Sequence, residues 1–338
     1  MISDVHFGSS ASTLAQPSTV DSLLQEMNTL GGIDEVVLLG DMFEFWTTTP
    51  DVAFEAAKHF LDELSKVGAR IVYVIGNHDH HAFISCLESN FLDDVAKGGI
   101  SPMDYSPESD FDQRFLKGLA HSDYRVVYAR YWKEVQCKPF LFTHGHHLDP
   151  VQVTVPRIEG IIRHILGWLE SSERKKVPKF AWDWSQPEDL EKELADSYEA
   201  IYRKATMGEF VTLENGIWKI ISGVGFIYPG LGYATGRFVP VQNQYSDILK
   251  LVGSLGKKVS CFVYGHTHVA GAYGKDGLYA VNSGCWLKEA DPTQWDNLRT
   301  RVVEERPNTY IIIDDRITLR QLGHPAPIVE PMPSEKLP

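Results

Sequence analysis

Four short apolar runs each end in a side chain that can bind a metal, and this coincidence constrains the fold more than any other feature of the chain. Val36-Val37-Leu38-Leu39 runs into Gly40-Asp41, and Ile71-Val72-Tyr73-Val74-Ile75 into Gly76-Asn77-His78-Asp79. Phe140-Leu141-Phe142 runs into Thr143-His144, and Cys261-Phe262-Val263-Tyr264 into Gly265-His266-Thr267-His268. Each run is β-branched or aromatic and too short for a helix, so each reads as a buried strand. Asp4-x-His6 stands at the start of the chain. In a parallel α/β sheet the carboxyl ends of strands converge on one crevice, so five distant segments would deliver their ligands to one place.

Between the first two strands, Asp51 is placed to cap a helix with Phe54, Ala57, Leu61 and Leu64 on one face and Gly68 as its stop. An earlier helix runs from Thr19 through Leu23, Leu24, Met27 and Leu30 to Gly31. Strand and helix thus alternate, which predicts right-handed βαβ units and a largely parallel sheet covered by helices. Leu278 to Val281 and Tyr310 to Ile313 read as strands, and Asp314-Asp315 before Ile317-Thr318-Leu319 as a hairpin turn, so a second, mixed sheet is expected. The segment 323–338 holds Pro325, Pro327, Pro331, Pro333 and Pro338, and is expected to be a mobile tail without regular structure.

The 338 residues carry 45 acidic and 32 basic side chains, a net of −13. Such a surface repels a phosphate backbone, so no nucleic acid is expected as a partner, although bound cations can reverse the field locally. At 43% hydrophobic residues the chain can bury a sizeable core, and disorder is excluded as its main state. No window reaches about 18 consecutive apolar residues, and no basic segment leads into an apolar one at the start. Neither a transmembrane segment nor a signal peptide is visible, and a cytoplasmic location is expected. Cys86, Cys137, Cys261 and Cys285 form no C-x-x-C pair, which favours buried free thiols over a disulfide framework or a thiolate zinc site.

The residue types suit two divalent cations about 3.5–4 Å apart, which need one bridging carboxylate and terminal ligands that are hard or borderline: carboxylate, imidazole and amide oxygen. Asp41 is the natural bridge. Glycines before Asp41, Asn77 and His266 allow tight turns where a side chain would obstruct metals or substrate. Two dications would offset the acidic crevice and lower the pKa of a bound water, giving a hydroxide that attacks phosphorus in line. Taken singly the motifs are weak: Asp4-x-His6 is common, a Gly-Asp after a strand is often only a turn, and His266-x-His268 alone reads as an exposed pair. Chance does not readily supply all five in this order. His80, His81, His146 and His147 are read as ordinary histidines, with His146 the understudy for His144.

The set Asp4-x-His6, Gly40-Asp41-x-x-Glu44, Gly76-Asn77-His78-Asp79, Thr143-His144-Gly145-His146 and Gly265-His266-Thr267-His268 resembles the five motifs of the calcineurin-like metallophosphoesterases. The resemblance covers about residues 1–150 and 255–320. It implies an α/β fold, a two-sheet mixed β sandwich flanked by helices, whose core spans 1–150 and 251–322. It further implies that Asp4, His6, Asp41 and His268 hold one metal, and Asp41, Asn77, His144 and His266 the other. The ions would be Mn, Fe or Zn, two per chain. His78, a non-ligand, would lie near the scissile phosphate and stabilise charge or protonate the leaving group, with Asp79 orienting its ring and Glu44 placed behind the ligands. Gly40-Asp41-Met42-Phe43-Glu44-Phe45-Trp46 is similar to the UDP-diacylglucosamine pyrophosphatase branch, although that branch usually has Arg where His78 stands.

Two classes of function are weighed. One is a dinuclear metal-dependent hydrolase of phosphate esters or pyrophosphates, acting on a phosphorylated small molecule or a lipid-linked substrate; the other is a non-catalytic scaffold with the same fold. Every ligand position is filled, which favours the enzyme. A nuclease of the same superfamily sits poorly with the acidic composition.

Residues 151–250 carry 12 basic and 13 acidic side chains, a net of −1 out of the chain's −13, and lack a counterpart in the minimal fold. Ile158, Ile161, Ile162, Ile165, Leu166 and Leu169 mark a helix face after Pro156, and Ser185-x-x-Glu188 is a capping box. With Arg174, Lys175, Lys176 and Lys179 nearby, this segment is expected to form a largely helical cap that selects substrate and can make peripheral membrane contact; the alternative is that its apolar faces pack on one another and the basic run is a solvated loop. Only Met1, Ile2 and Ser3 precede Asp4. The first strand is therefore expected to be stunted, or the native chain to begin further upstream.

Overall fold

The computed structural model describes residues 1–45, 48–80, 110–111, 124–148, 239–275, 277–288 and 307–337. Strand β1 (Glu35–Leu39) pairs in parallel with β2 (Arg70–Val74), Val36 opposite Ile71 and Leu39 opposite Val74. Helix α2 (Pro50–Ser65) joins them and α1 (Pro17–Asn28) precedes them, so the expected βαβ unit is present. Pro50 starts α2, Thr49 holds the cap position, and Asp51 lies in the first turn, where its charge faces the positive end of the helix. β4 (Tyr124–Val127) extends this sheet in parallel and β3 (Asp110–Phe111) closes its edge antiparallel.

A second sheet runs β5-β6-β7-β9-β8. Its centre is parallel: β6 (Lys138–Thr143), β7 (Cys261–Tyr264) and β9 (Leu278–Asn282). Its edges, β5 (Arg130–Val135) and β8 (Gly271–Lys275), are antiparallel. Another helix among the described residues, α3 (Val241–Ser254), leads into β7.

Side-chain alternation explains why the runs are apolar throughout. From β1 and β2, Val36, Leu38, Ile71 and Tyr73 pack with Phe60, Leu61 and Leu64 of α2. Their alternates, Val37, Leu39, Val72 and Val74, meet Phe140, Phe142, Cys261, Val263 and Val281 of the second sheet. The other face of that sheet sends Leu141, Phe262, Tyr264 and Ala280 onto Tyr245, Ile248 and Leu251 of α3. A strand buried on both faces has no polar alternation to show. The result is the expected two-sheet sandwich between helices, with both sets of parallel strands bringing their carboxyl ends to the same rim.

At the chain start Ile2 makes an isolated parallel bridge to Leu38, and Asp4 N–H donates to Gly40 O at 3.0 Å. Two expectations change. The C-terminal strands do not share one sheet, because β9 lies inside the five-stranded sheet while β10 (Thr309–Ile313) and β11 (Arg316–Gln321) form a separate antiparallel hairpin. Nor does the proline-rich segment trail away. β12 (Met332–Pro333) pairs with β11, and Leu337 is buried in the core between the sheets, with Ile328, Val329 and Met332 packed against it. Prolines at an edge strand cost no ladder bond, and the apolar residues between them supply the anchoring.

Helix α3 crosses residue 250, the expected join between cap and core, and its buried face belongs to the core from Val241 onward. The expected helices after Pro156 and Ser185, the basic run 174–179, His81, Cys86 and Trp46 lie outside the described residues. Of the cysteines, Cys261 and Cys285 are buried free thiols as expected, whereas Cys137 is exposed, on the tight turn between β5 and β6. Among the described residues no helix is long and apolar enough to cross a membrane.

Candidate metal centre

The loops that leave the parallel strands converge as the sequence implies. Asp4, His6, Asp41, Asn77, His144, His266 and His268 are all buried, none more than 6% exposed. Ligand atoms of Asp4, His6 and His268 lie within 4.8 Å of one another, and so do those of Asp41, His144 and His266. The two groups are stitched together at Asp41: its Oδ2 is 3.2 Å from His144 Nε2 and 3.7 Å from His6 Nε2. Asn77 Oδ1 lies 3.1 Å from His144 Nε2, and His268 Nε2 lies 3.4 Å from Asp4 Oδ1. His144, and not its understudy His146, lies against Asp41; His146 stacks on Tyr128, with its ring 5.6 Å from that of His144.

The backbone is bent to achieve this. Asp4, His6, Asp41, His266 and His268 all adopt left-handed φ, between 50° and 67°. Asp and His tolerate this region better than most residues, yet it costs of order 1–3 kcal/mol each and clusters where function requires it. The neighbouring glycines are needed for space. A Cβ on Gly76 would sit 2.2 Å from Asp41 Oδ1, one on Gly40 2.4 Å from His144 Nδ1, and one on Gly265 2.4 Å from Asp4 Oδ2.

Hydrogen bonds behind the ligands set which atoms face inward. His144 Nδ1 donates to Leu39 O at 3.0 Å, so Nε2 is the nitrogen presented to the carboxylates. His6 Nδ1 lies 2.9 Å from Glu44 Oε2. Asp41 Oδ1 accepts His78 N–H at 2.8 Å, and Asp4 accepts His266 N–H at 3.0 and 3.1 Å and the Ser3 hydroxyl. Burial alone would raise the Asp41 carboxyl, but His144, His78 and His6 hold it well below the usual range. Conversely, burial would lower His144, yet Asp41 and Asp4 push it up to about 10.

Asp79 has a different task from the expected one. Its carboxylate accepts Gly76 N–H at 2.6 Å, Met42 N–H at 2.7 Å and the Tyr73 hydroxyl, tying the two ligand loops together. The ring of His78 is held by Glu44, at 2.9 and 3.0 Å from Nδ1. Burial, with Asp41 beside it, raises Asp79 to about 6.

Three contributors were missed in the sequence. Ser3 bonds both Asp4 and Ser283, and Tyr73 reaches Asp79. Asn282 donates to Gly265 O at 2.6 Å and Thr267 Oγ1 at 3.1 Å, and accepts Gly284 N–H at 2.8 Å, clamping the Gly-His-Thr-His loop. A signal for Asn282 existed: Leu278 to Val281 is a fifth apolar run, and it ends in Asn282-Ser283-Gly284.

The donor set fits divalent cations. His6 Nε2 is buried without a hydrogen-bond partner, and two buried carboxylates face imidazoles rather than Lys or Arg. A mixture of carboxylate, imidazole and amide oxygen suits Mn, Fe or Zn. Because His144 in the metal-free protein carries a proton where an ion would bind, loading is expected to release protons and to weaken as pH falls. Calorimetry of Mn²⁺ binding at neutral pH in buffers of different ionisation enthalpy checks this; a heat independent of buffer would contradict it.

A buried carboxylate-imidazole cluster lies at the strand ends of an α/β sandwich, and sequence comparison gives the family. The chain belongs to the calcineurin-like phosphoesterase family, whose sequence model matches residues 1–270. A search of curated protein sequences finds no match. Among solved structures, a dimetal phosphatase from Danio rerio is 14% identical, with 94% of this chain and 93% of that chain covered and a TM-score of 0.37. A conserved uncharacterized protein, a predicted phosphoesterase from Streptococcus pneumoniae TIGR4, is 13% identical, with 96% and 88% covered and a TM-score of 0.29.

Proposed function

We propose that this member of the family is a dinuclear hydrolase of a phosphate ester or pyrophosphate bond. The observation that carries this reading is the pair of ligand groups meeting at Asp41, with His78 beside them. Asp4, His6, Asp41 and His268 would hold one ion, and Asp41, Asn77, His144 and His266 the other. Two such ions supply Lewis acidity for a phosphoryl group and a water ionised near neutral pH.

The chain's own residues supply the rest. His78 is packed edge to face against His6, with ring centroids 4.6 Å apart, and its side chain is 11% exposed. A ring so placed, with Nδ1 tied to Glu44, offers its Nε2 edge to an incoming phosphoryl group. When the P–O bond breaks, the proton on Nε2 passes to the leaving oxygen and Nδ1 keeps its own. Asp79 is a positioning residue in this reading, fixing the turn that carries Asn77 and His78.

For the substrate, a phosphorylated small molecule or lipid-linked compound is supported by the Gly40 to Trp46 resemblance and by the apolar and basic composition of 151–250. That composition also supports the reading of 151–250 as a cap in contact with a membrane surface. A panel of monoesters, diesters, nucleotide pyrophosphates and lipid-linked substrates, with Mn²⁺ added, tests the substrate class directly.

Turnover of bis-p-nitrophenyl phosphate with Mn²⁺ tests the activity, and His78→Ala tests the assignment. The variant is expected to keep its metals and turn over about 10²-fold more slowly. Loss of both metals in that variant would show the role of His78 to be misassigned.

A further inference from the structure

Strand β9 ends at the metal rim but delivers no ligand to either proposed ion; the residue that follows it, Ser283, reaches back to the chain start instead. Ser283 and Ser3 are both fully buried. The Ser3 hydroxyl donates to Asp4 Oδ2, and Ser283 Oγ meets Ser3 Oγ from behind. A carboxylate only accepts and a hydroxyl carries one hydrogen, so with Ser3 donating to Asp4 the Ser283 hydroxyl is the donor to Ser3. Ser283 is anchored on two sides: its N–H donates to Tyr264 O at 2.9 Å, and its carbonyl accepts the Thr309 hydroxyl at 2.5 Å. Gly265 leaves room for the pair, since a Cβ there would lie 2.5 Å from Ser3 Oγ. The bonds divide the two oxygens of Asp4. Oδ2 takes the Ser3 hydroxyl and the His266 N–H at 3.0 Å, while Oδ1 shares that N–H at 3.1 Å and lies 3.4 Å from His268 Nε2. His144, a ligand of the other proposed ion, is held by Leu39 O.

We propose that Ser283 and Ser3 form a two-hydroxyl relay that holds Asp4 with Oδ1 turned toward His268, and so sets the affinity of the Asp4-His6-His268 site separately from that of the site on Asn77 and His144. The proposal rests on the dinuclear reading above. Both serines are positioning residues that act through Asp4. Partners behind a ligating carboxylate fix which oxygen it presents, and their loss is felt at that ligand's own ion. Because the hydroxyls act in series, Ser283 has an effect only while Ser3 is there to pass it on. The two sites of one centre are thereby given independent supports, the backbone of β1 behind His144 and the end of β9 behind Asp4.

Full-length wild type, Ser3→Ala, Ser283→Ala, the double variant and Asn77→Ala are titrated with Mn²⁺ by calorimetry, and the two binding steps are fitted separately. Ser3→Ala is expected to weaken one step about 10- to 100-fold and leave the other unchanged. Asn77→Ala should weaken the opposite step, which assigns the two. Ser283→Ala should weaken the same step as Ser3→Ala by a smaller factor, and in the Ser3→Ala background it should add nothing. A packing role would not show this pattern, since a loosened rim weakens both steps and two cavities add their costs. Should Ser3→Ala not fold, Ser283→Ala, one bond further from the ligand, carries the test alone through its selective effect. Equal weakening of both steps, unchanged affinity in a folded variant, or additive losses in the double variant would overturn the proposal. If wild type takes up a single Mn²⁺ per chain, the dinuclear reading fails, while weakening of that one step by Ser283→Ala still decides whether the relay supports Asp4.

Discussion

Replacing Asp41 with Ala is expected to remove both ions together and to abolish turnover, the largest effect of any single ligand change. Its Oδ2 lies between His6 and His144, one from each ligand group, so neither group keeps its full set of donors without it. Changing a group that only supports a ligand already costs about 10- to 100-fold in metal affinity or activity, and a shared ligand must cost more. The metal-free fold should suffer as well. His144 is charged because of Asp41 and Asp4, and removing one partner of a buried ion pair costs about 3–5 kcal/mol. Asp41→Asn is the informative companion, since it retains an acceptor for His78 N–H and the shape of the turn. Metal analysis and thermal melts of both variants check the expectation. One ion retained at wild-type affinity would show that Asp41 is not shared.

Gly76→Ala should disable the centre without touching any ligand. The added methyl would lie 2.2 Å from Asp41 Oδ1 and 2.4 Å from the Asp41 backbone nitrogen. A flexible side chain could move aside, but here part of the obstacle is backbone, pinned by bonds from Val5 and His6 N–H to Asp41 O at 2.9 Å. Overpacking of this kind costs about 1–3 kcal/mol or more, and any relief moves Asp41 off the ligand position. Gly253→Ala is the control, because the site lies in helix α3 with nothing within 4 Å of the new methyl. It should stabilise by about 0.5–1 kcal/mol through backbone entropy. Melting curves and Mn²⁺ titrations of the two variants separate these outcomes. A Gly76→Ala protein with unchanged metal affinity would refute the close-packing argument.

Much of the centre was legible because its chemistry is local in sequence. A short apolar run followed by glycine and a ligand reads directly as a strand end, and topology does the rest by placing parallel carboxyl ends on one rim. The contacts behind the ligands were less legible, because partner choice depends on distances that spacing does not encode. Asp79 follows His78 directly and so seemed its natural partner, yet its carboxylate turns into the loop to meet Gly76 and Met42, while Glu44, 34 residues earlier, reaches the ring. Ser3 and Asn282 escaped notice because a buried hydroxyl or amide in a turn looks the same as an exposed one. In the fold, the proline-rich segment misled through composition: the prolines were counted, whereas Ile328, Met332 and Leu337 between them decide where the segment goes.

The central claim is that activity requires two ions held by seven converging side chains. The direct test strips the protein with chelator, adds Mn²⁺ stepwise, and follows bound metal and bis-p-nitrophenyl phosphate turnover on the same samples. The account predicts no turnover in stripped protein and full turnover only as the second ion per chain binds. Turnover by metal-free protein, or full activity with one ion per chain, would contradict it.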